Sequence, residues 1–351
     1  MLGCVIHGQG DLRVDELPVP SVGPGQALVA VRYGGVCGSD LHYWRHGGVG
    51  DFRLREPMVL GHEVVGTVVS YGDGASGRGA GDAQLLPVPG TAVAVHPATP
   101  CGVCPECVDG RANVCRDTRY LGSAARTPHV QGGFAAQVVV PAGQLRALPP
   151  GLDLKRAALA EPLSVALHAV RRAGSVAGRH VLVTGAGPIG CLVVAAAKAA
   201  GAARVTVTDL LPQALAYAVS AGADTVVRAD DPADAGWPAE ADVAVEASGV
   251  AAGLDTCLRL VRRGGVVVQL GMLPPGQSPF PGNLVVSREI ELRGAFRFDV
   301  EFDEAIALLA TEPRFDALVS AVVPLGEAES AFALAADRSR SCKVLLDFAA
   351  V

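Results

Sequence analysis

The chain lacks a membrane-length apolar run. Its longest uncharged stretch of strong apolar content, Val181 to Ala197, spans 17 residues and is broken by glycines, Thr184 and Pro188. A bilayer takes about 20 apolar residues, so this stretch reads instead as strand, turn and helix of a buried fold. A basic excess is also missing: 29 Lys and Arg stand against 35 Asp and Glu, a net charge of −6. That balance argues against nucleic acid or an anionic lipid surface as the main partner. Gly (43) and Pro (24) are numerous but scattered, so no low-complexity block forms, and no repeat of solenoid length appears. Residues 1–17 carry early acidic groups and no apolar leader core. The expectation is a soluble cytoplasmic protein with no membrane partner. There the nine cysteines are expected to be reduced or metal-bound rather than paired as disulfides.

Half of the 351 residues are apolar and 18% are charged, enough for a large core and a length suited to two domains. The first third is β-rich. Short Val- and Ala-rich runs at Gln26–Tyr33, Glu63–Ser70, Thr91–His96 and Phe134–Val140 are separated by Gly and Pro. The middle changes rhythm. Predicted strands at His180–Thr184, Arg204–Thr208, Asp224–Arg228, Asp242–Glu246, Gly265–Leu270 and Ile290–Gly294 are interleaved with helices at 188–200, Pro212–Ala221 and Gly253–Arg263. Gly264 and Gly265 are expected to stop the last of these helices in a left-handed cap. Such alternation predicts an α/β fold with a doubly wound parallel sheet beside a small β-rich domain. Helix Glu301–Ala310, strand Leu318–Val323, helix Glu327–Ala336 and strand Cys342–Phe348 are expected to return to the first domain.

Three motifs carry chemistry. Cys37 and Gly61-His62-Glu63 supply a thiolate, an imidazole and a carboxylate. That mix suits a zinc ion with its fourth position open to a substrate oxygen. Cys101, Cys104, Cys107 and Cys115 form C-x2-C-x2-C-x7-C, a set able to close a tetrahedral structural zinc site. An iron–sulfur cluster is the rival reading, although the fourth cysteine falls too far along for the bacterial pattern. Gly185-Ala186-Gly187-Pro188-Ile189-Gly190 fits G-x-G-x-x-G between a strand and a helix, the context in which a backbone turn meets a pyrophosphate. Asp209, 19 residues after Gly190, is placed to accept ribose hydroxyls. No Lys or Arg occurs from Leu210 through Ala221 to neutralise a 2′-phosphate, so NAD is favoured over NADP.

These motifs resemble those of the zinc-dependent medium-chain dehydrogenases. Gly61-His62-Glu63-x2-Gly66-x5-Gly72 matches that family's zinc signature, and the cysteine quartet and glycine turn follow in the family's order. Within the family the chain is similar to the sorbitol dehydrogenase branch, and in that branch to the L-idonate 5-dehydrogenases. Cys37–Trp44, Pro57–Glu63, Tyr120–Ala124, Ala160–Val165 and Gly294–Arg297 carry that likeness. The resemblance implies a GroES-like catalytic domain (residues 1–162 and 297–351) interrupted by a Rossmann domain (163–296). It implies a catalytic zinc held by Cys37, His62 and Glu63, with Glu161 contacting the metal directly or through its water. It places Tyr43, Glu161 and Arg297 at the substrate, and Leu270, Phe296 and Arg297 along the cofactor. Ser39 and His42 become a proton path to solvent, or only a buttress for Cys37. A homotetramer is implied as well.

Residues 80–90 resemble an insertion relative to the family, Ala214 replaces a basic residue of some NAD-using relatives, and Phe298 replaces a tyrosine. The expected reaction is oxidation of a secondary alcohol of a sugar acid, L-idonate or a similar aldonate, to a ketone. Arg45, His46, Arg126 and His129 are candidate cations for its carboxylate, each competing with a role as a solvated surface charge. A neutral polyol such as sorbitol or xylitol is the nearest alternative substrate. A non-catalytic zinc- and nucleotide-binding protein, or a nucleic-acid module built on the cysteine quartet, would be a different class of answer. The net charge weighs against the last.

Overall fold

A computed structural model describes residues 1–75, 86–232, 236–238 and 240–349. Of the expected insertion, residues 80–85 lie outside the described set.

Six strands in the middle of the chain form one sheet in the order Thr225–Arg228, Arg204–Asp209, His180–Thr184, Ala241–Glu246, Val261–Gln269, Glu291–Gly294, all parallel. A parallel sheet is covered on both faces, so its central strands read as unbroken apolar runs. Val181, Leu182 and Val183 are at most 1% exposed. The order reverses between His180–Thr184 and Ala241–Glu246, and at such a switch point the carboxyl ends of the strands open a crevice. The glycine turn follows the first of these strands.

Helix Pro188–Ala199 starts with Pro in its first turn and packs Ala195, Ala196 and Ala197 into the core. Helix Ala160–Ala173 lies against it. Glu161 and Pro162 sit inside the first turn of that helix rather than before it, a position where Pro sacrifices no intrahelical bond.

One expected boundary is wrong. The helix after Gly249 ends at Leu260, not Arg263, and Val261 is extended. Val261 is fully buried and pairs with Ala241, so the sheet pulls this β-branched residue in before Gly264 is reached. Gly264 does take a positive φ of 63°, but within the irregular opening of the strand, and Gly265 does not.

The second sheet has seven strands and contains both ends of the chain's functional span. Strand Gln26–Gly35 pairs with Glu63–Tyr71, with Gln137–Pro141 and, through Tyr33–Gly35, with Lys343–Asp347 near the C-terminus. Val319–Pro324 extends the sheet beyond that last strand. A hairpin of Leu2–Gly8 and Asp11–Glu16, absent from the sequence reading, packs beside it. The result for the site is simple. His62 and Glu63 open one strand, Cys37 follows the end of its neighbour, and Lys343 opens a strand on the neighbour's other side.

Candidate active site

Cys37 caps helix Gly38–His46 at the end of strand Gln26–Gly35. Asp40, fully buried, ties it to the zinc-signature strand: one carboxylate oxygen accepts from the Cys37 amide at 2.9 Å and the other from the Gly61 amide at 3.3 Å. Gly61 has φ +93°, and a Cβ there would stand 2.0 Å from the Phe134 ring, so only glycine lets the chain turn into His62. The ligand atoms of Cys37, His62 and Glu63 lie within 4.8 Å of one another. Burial disfavours a charged His62. The Cys37 sulfur and the Asp40 and Glu161 carboxylates outweigh it and push the imidazole up to about 10. The surroundings therefore favour positive charge at this point, and the sulfur, nitrogen and oxygen donors suit zinc.

Glu63 is fully buried and clasped by Lys343, whose Nζ donates to both carboxylate oxygens at 2.8 and 2.7 Å and to the Val36 carbonyl at 3.2 Å. A carboxylate has about four lone-pair sites, so Glu63 can keep Lys343 and still face a cation. Burial disfavours the ammonium, yet Glu63, Cys37 and Glu161 together hold the Lys343 pKa above its ordinary value. Glu161 is buried and accepts from the Tyr120 hydroxyl at 2.6 Å. Burial pushes its carboxyl up, against the pull of His62. Its oxygens are not part of the three-residue ligand group.

The four sulfurs of Cys101, Cys104, Cys107 and Cys115 also lie within 4.8 Å of one another. The Cys101 and Asp117 amides donate to Cys115 Sγ at 3.3 Å, and the Cys104 amide to Cys101 Sγ at 3.4 Å. Against the cost of burial, the Cys101 amide leads the groups that pull Cys115 down to about 6. Thiolates in such a cage suit a closed zinc site. Asn113 in the same lobe donates to the Phe296 carbonyl at 2.9 Å, fixing the lobe against segment 296–298.

At the glycine turn, a Cβ on Gly190 would fall 1.9 Å from the Gly185 carbonyl oxygen, and Gly185 has φ +92°. The turn thus needs glycine at both positions, with Gly187 capping the helix that begins at Pro188 and Ile189. Asp209 ends the adjacent strand; its carboxylate accepts from the Ala186 amide at 2.8 Å and the Leu211 amide at 3.1 Å. It also binds Arg338. Leu270 closes the crevice's other side, its amide donating to the Glu246 carbonyl at 3.0 Å.

Tyr43 is buried, its hydroxyl accepting from the Ala124 amide at 3.0 Å. Arg297 lies over the Tyr120 ring at 4.4 Å and the Phe296 ring at 4.8 Å, on a backbone with φ +53°. A non-glycine residue in that region signals strain of the kind held at functional sites. Burial lowers its pKa, while Tyr120, Glu161 and Tyr43 support the charge.

The four cations expected for a substrate carboxylate are engaged elsewhere or exposed. Arg126 pairs with Asp117. Both ring nitrogens of His129 bond backbone groups, of Arg55 and Arg126. Arg45 and His46 are exposed, Arg45 lying over Trp44. Phe298 is buried against His96 and Phe302, in the core. Ser39 is half-buried and His42 exposed. Among the described residues no hydrogen bond joins either to the ligand group.

Residues 23–150 match the alcohol dehydrogenase GroES-like domain, and residues 188–311 match the zinc-binding dehydrogenase family. L-idonate 5-dehydrogenase (NAD(P)(+)) of Escherichia coli K12 is 40% identical, over 98% of each chain. Sorbitol dehydrogenase of Gallus gallus is 36% identical over 98% of this chain and 96% of its own. The crystal structure of the E. coli L-idonate 5-dehydrogenase superposes with a TM-score of 0.89, covering 99% of this chain and 97% of that one. The chain belongs to the zinc-dependent medium-chain dehydrogenases. It falls in their sorbitol dehydrogenase branch, with the expected GroES-like and Rossmann-type architecture, and it is an oxidoreductase whose cofactors are zinc and NAD.

Within this dehydrogenase the sequence reading missed four residues. Asp40 had a local signal, an acid three residues after the helix-capping Cys37. Tyr120 stood inside a quoted stretch but gave no sign of its bond to Glu161. Lys343 and Arg338 reach the sites from 280 and 129 residues away, and nothing local marks them.

Two outcomes are expected. Lys343→Met leaves Glu63 buried without its partner and lowers unfolding free energy by about 3–5 kcal/mol; urea denaturation measures it, and a loss under about 1 kcal/mol would show the pair to be dispensable. Elemental analysis is expected to find two zinc ions per chain, falling to one in Cys37→Ser and to one in Cys104→Ser. Iron in the quartet would restore the rival reading.

Proposed function

We propose that this dehydrogenase oxidises the secondary alcohol of a sugar acid to a ketone with NAD, L-idonate or a similar aldonate being the substrate. The sugar-acid reading rests on similarity to the E. coli L-idonate enzyme, and the cation it would use is Arg297. Arg297 is a half-buried guanidinium held between Tyr120 and Phe296 and electrically coupled to Glu161 and Tyr43. A neutral polyol is the second reading, supported by the similarity to the Gallus gallus sorbitol dehydrogenase.

In this reading Cys37, His62 and Glu63 hold the catalytic zinc, and Glu161 either joins them or fixes a water at the open position. Cys101, Cys104, Cys107 and Cys115 hold the structural ion. Zinc held at Cys37, His62 and Glu63 would supply Lewis acidity toward a substrate hydroxyl near neutral pH, and NAD would be the hydride acceptor. Tyr120 keeps one Glu161 oxygen occupied and so orients the other toward the reacting groups. Tyr43 and Arg297 bind the substrate's hydroxyl and carboxylate ends. Gly185, Gly187, Pro188, Ile189 and Gly190 receive the pyrophosphate, Asp209 the adenosine ribose, and Leu270, Phe296 and Arg297 border the nicotinamide half. Residues 1–162 and 297–351 form the catalytic domain and 163–296 the nucleotide domain. The homotetramer rests on resemblance alone.

Ser39 and His42 carry the released proton outward. Burial, His46 and Arg45 lower the His42 pKa. A lowered pKa keeps the ring neutral, and able to accept, to lower pH than an ordinary histidine. His42→Ala is expected to steepen or displace the acid limb of the kcat/KM profile for alcohol oxidation. An unchanged limb removes His42 from the path.

The deciding experiment is a panel of L-idonate, D-gluconate, sorbitol and xylitol with NAD or NADP, followed at 340 nm. L-idonate with NAD is expected to give the highest kcat/KM. Arg297→Gln is expected to raise KM for the aldonates about ten- to hundredfold, the worth of a charged hydrogen bond, and to affect sorbitol less. Equal losses on acid and polyol would defeat the assignment of Arg297 to a carboxylate.

A further inference from the structure

The glycine turn has no cation of its own. Between Gly185 and Ala221 the only basic residues are Lys198 and Arg204. Lys198 lies near the C-terminal end of its helix and pairs with Asp224 at 3.1 Å; Arg204 opens its strand and reaches Thr225 at 3.0 Å. Both therefore sit at the end of the sheet opposite the turn. A dinucleotide brings two phosphate charges to that turn, met there only by amides and a helix dipole.

The missing charge comes from another part of the chain. Arg338 lies in the segment between helix Ala328–Ala336 and the last strand, outside the Rossmann sheet. Its Nη2 donates to Asp209. Its guanidinium lies over the second glycine of the turn: a Cβ on Gly187 would stand 3.8 Å from Nε and 3.9 Å from Cζ and Nη2. Gly187 is the position where glycine lets a pyrophosphate approach the backbone. Nε is buried and, among the described residues, has no hydrogen-bond partner. A buried donor without an acceptor is unfavourable, and a phosphate oxygen over Gly187 would satisfy it. The segment is pre-set. Asp337 accepts from the Ser339 amide at 3.1 Å and the Ser339 hydroxyl at 2.5 Å, and Ser341 Oγ donates to the Leu334 carbonyl at 2.7 Å.

We propose that Arg338 is a cofactor anchor: its Nε binds the dinucleotide pyrophosphate over Gly187 while its Nη2 holds Asp209 in place for the adenosine ribose. The inference rests on reading Gly185–Gly190 as the dinucleotide turn. It also changes the cofactor expectation. Asp209 alone repels a 2′-phosphate; with Arg338 beside it the repulsion is offset, so NADP is accepted as a weaker second cofactor.

The test is direct binding, independent of turnover. NADH and NADPH affinities are measured by fluorescence on the zinc-loaded enzyme, with ADP-ribose and adenosine as competitors, for wild type, Arg338→Ala and Arg338→Lys. Arg338→Ala is expected to weaken NADH and ADP-ribose about ten- to hundredfold, adenosine less than about threefold, and NADPH more than NADH. Arg338→Lys, which keeps the charge without the fork, is expected to fall between. Wild-type affinity for ADP-ribose in Arg338→Ala would overturn the proposal. So would an equal loss for adenosine and ADP-ribose, which would make Arg338 only a brace for Asp209. If the wild-type chain binds none of these nucleotides, the dinucleotide reading fails and takes this inference with it.

Discussion

The ion pair between Glu63 and Lys343 is the constraint on which the catalytic half is built. Both side chains are buried, and they join the strand that opens the zinc signature to the chain's last strand. A lone buried carboxylate would cost several kcal/mol, a large share of the 5–15 kcal/mol that a domain of this kind has to spend. Without the last strand in place, Glu63 would lack this partner. The strand's backbone pairing with Tyr33–Gly35, next to Cys37 in sequence, brings Lys343 across the middle strand to within 2.7 Å of Glu63. Sheet closure and ligand placement are one event.

The same electrostatics favour a cation at the proposed catalytic site. Asp40, Glu63 and Glu161 are all buried, and Asp40 and Glu161 each interact electrostatically with His62 and Glu63. Lys343 answers one of these charges and Asp40 is spent on two backbone amides. Cys37, Asp40 and Glu161 still raise the His62 pKa against the cost of burial, so the surroundings favour positive charge. A divalent ion supplies more of it than one proton can. A hydrophobic core around the same three ligands would lack this pull, which is why the surrounding acids matter as much as the donors.

Much of this was legible in the sequence because it is contiguous. His62 and Glu63 are neighbours, the four cysteines fall within fifteen residues, and the glycine turn sits between a strand and a helix that announce themselves by periodicity. What stayed hidden is what the fold brings from a distance. No basic residue follows Asp209 from Leu210 through Ala221, yet Arg338 pairs with it from far along the chain. The cations proposed for a substrate carboxylate were chosen for nearness in sequence to Cys37 and to the cysteine quartet, whereas Arg297 stands beside Glu161. The helix boundary at Leu260 failed for a related reason. A glycine stop is a local preference, and strand pairing of Val261 with Ala241 overrode it.

Arg338 and Lys343 are five residues apart, one aimed at the glycine turn and the other at Glu63. The segment between them therefore contacts Asp209 beside the glycine turn at one end and Glu63 at the other. Its own structure is short and stiff: Ser341 is fastened back to the preceding helix, and Lys343 begins the strand. Among the described residues the Rossmann sheet shares no strand with the catalytic sheet. Residues 338–343 contact both, through Arg338 to Asp209 and through Lys343 to Glu63.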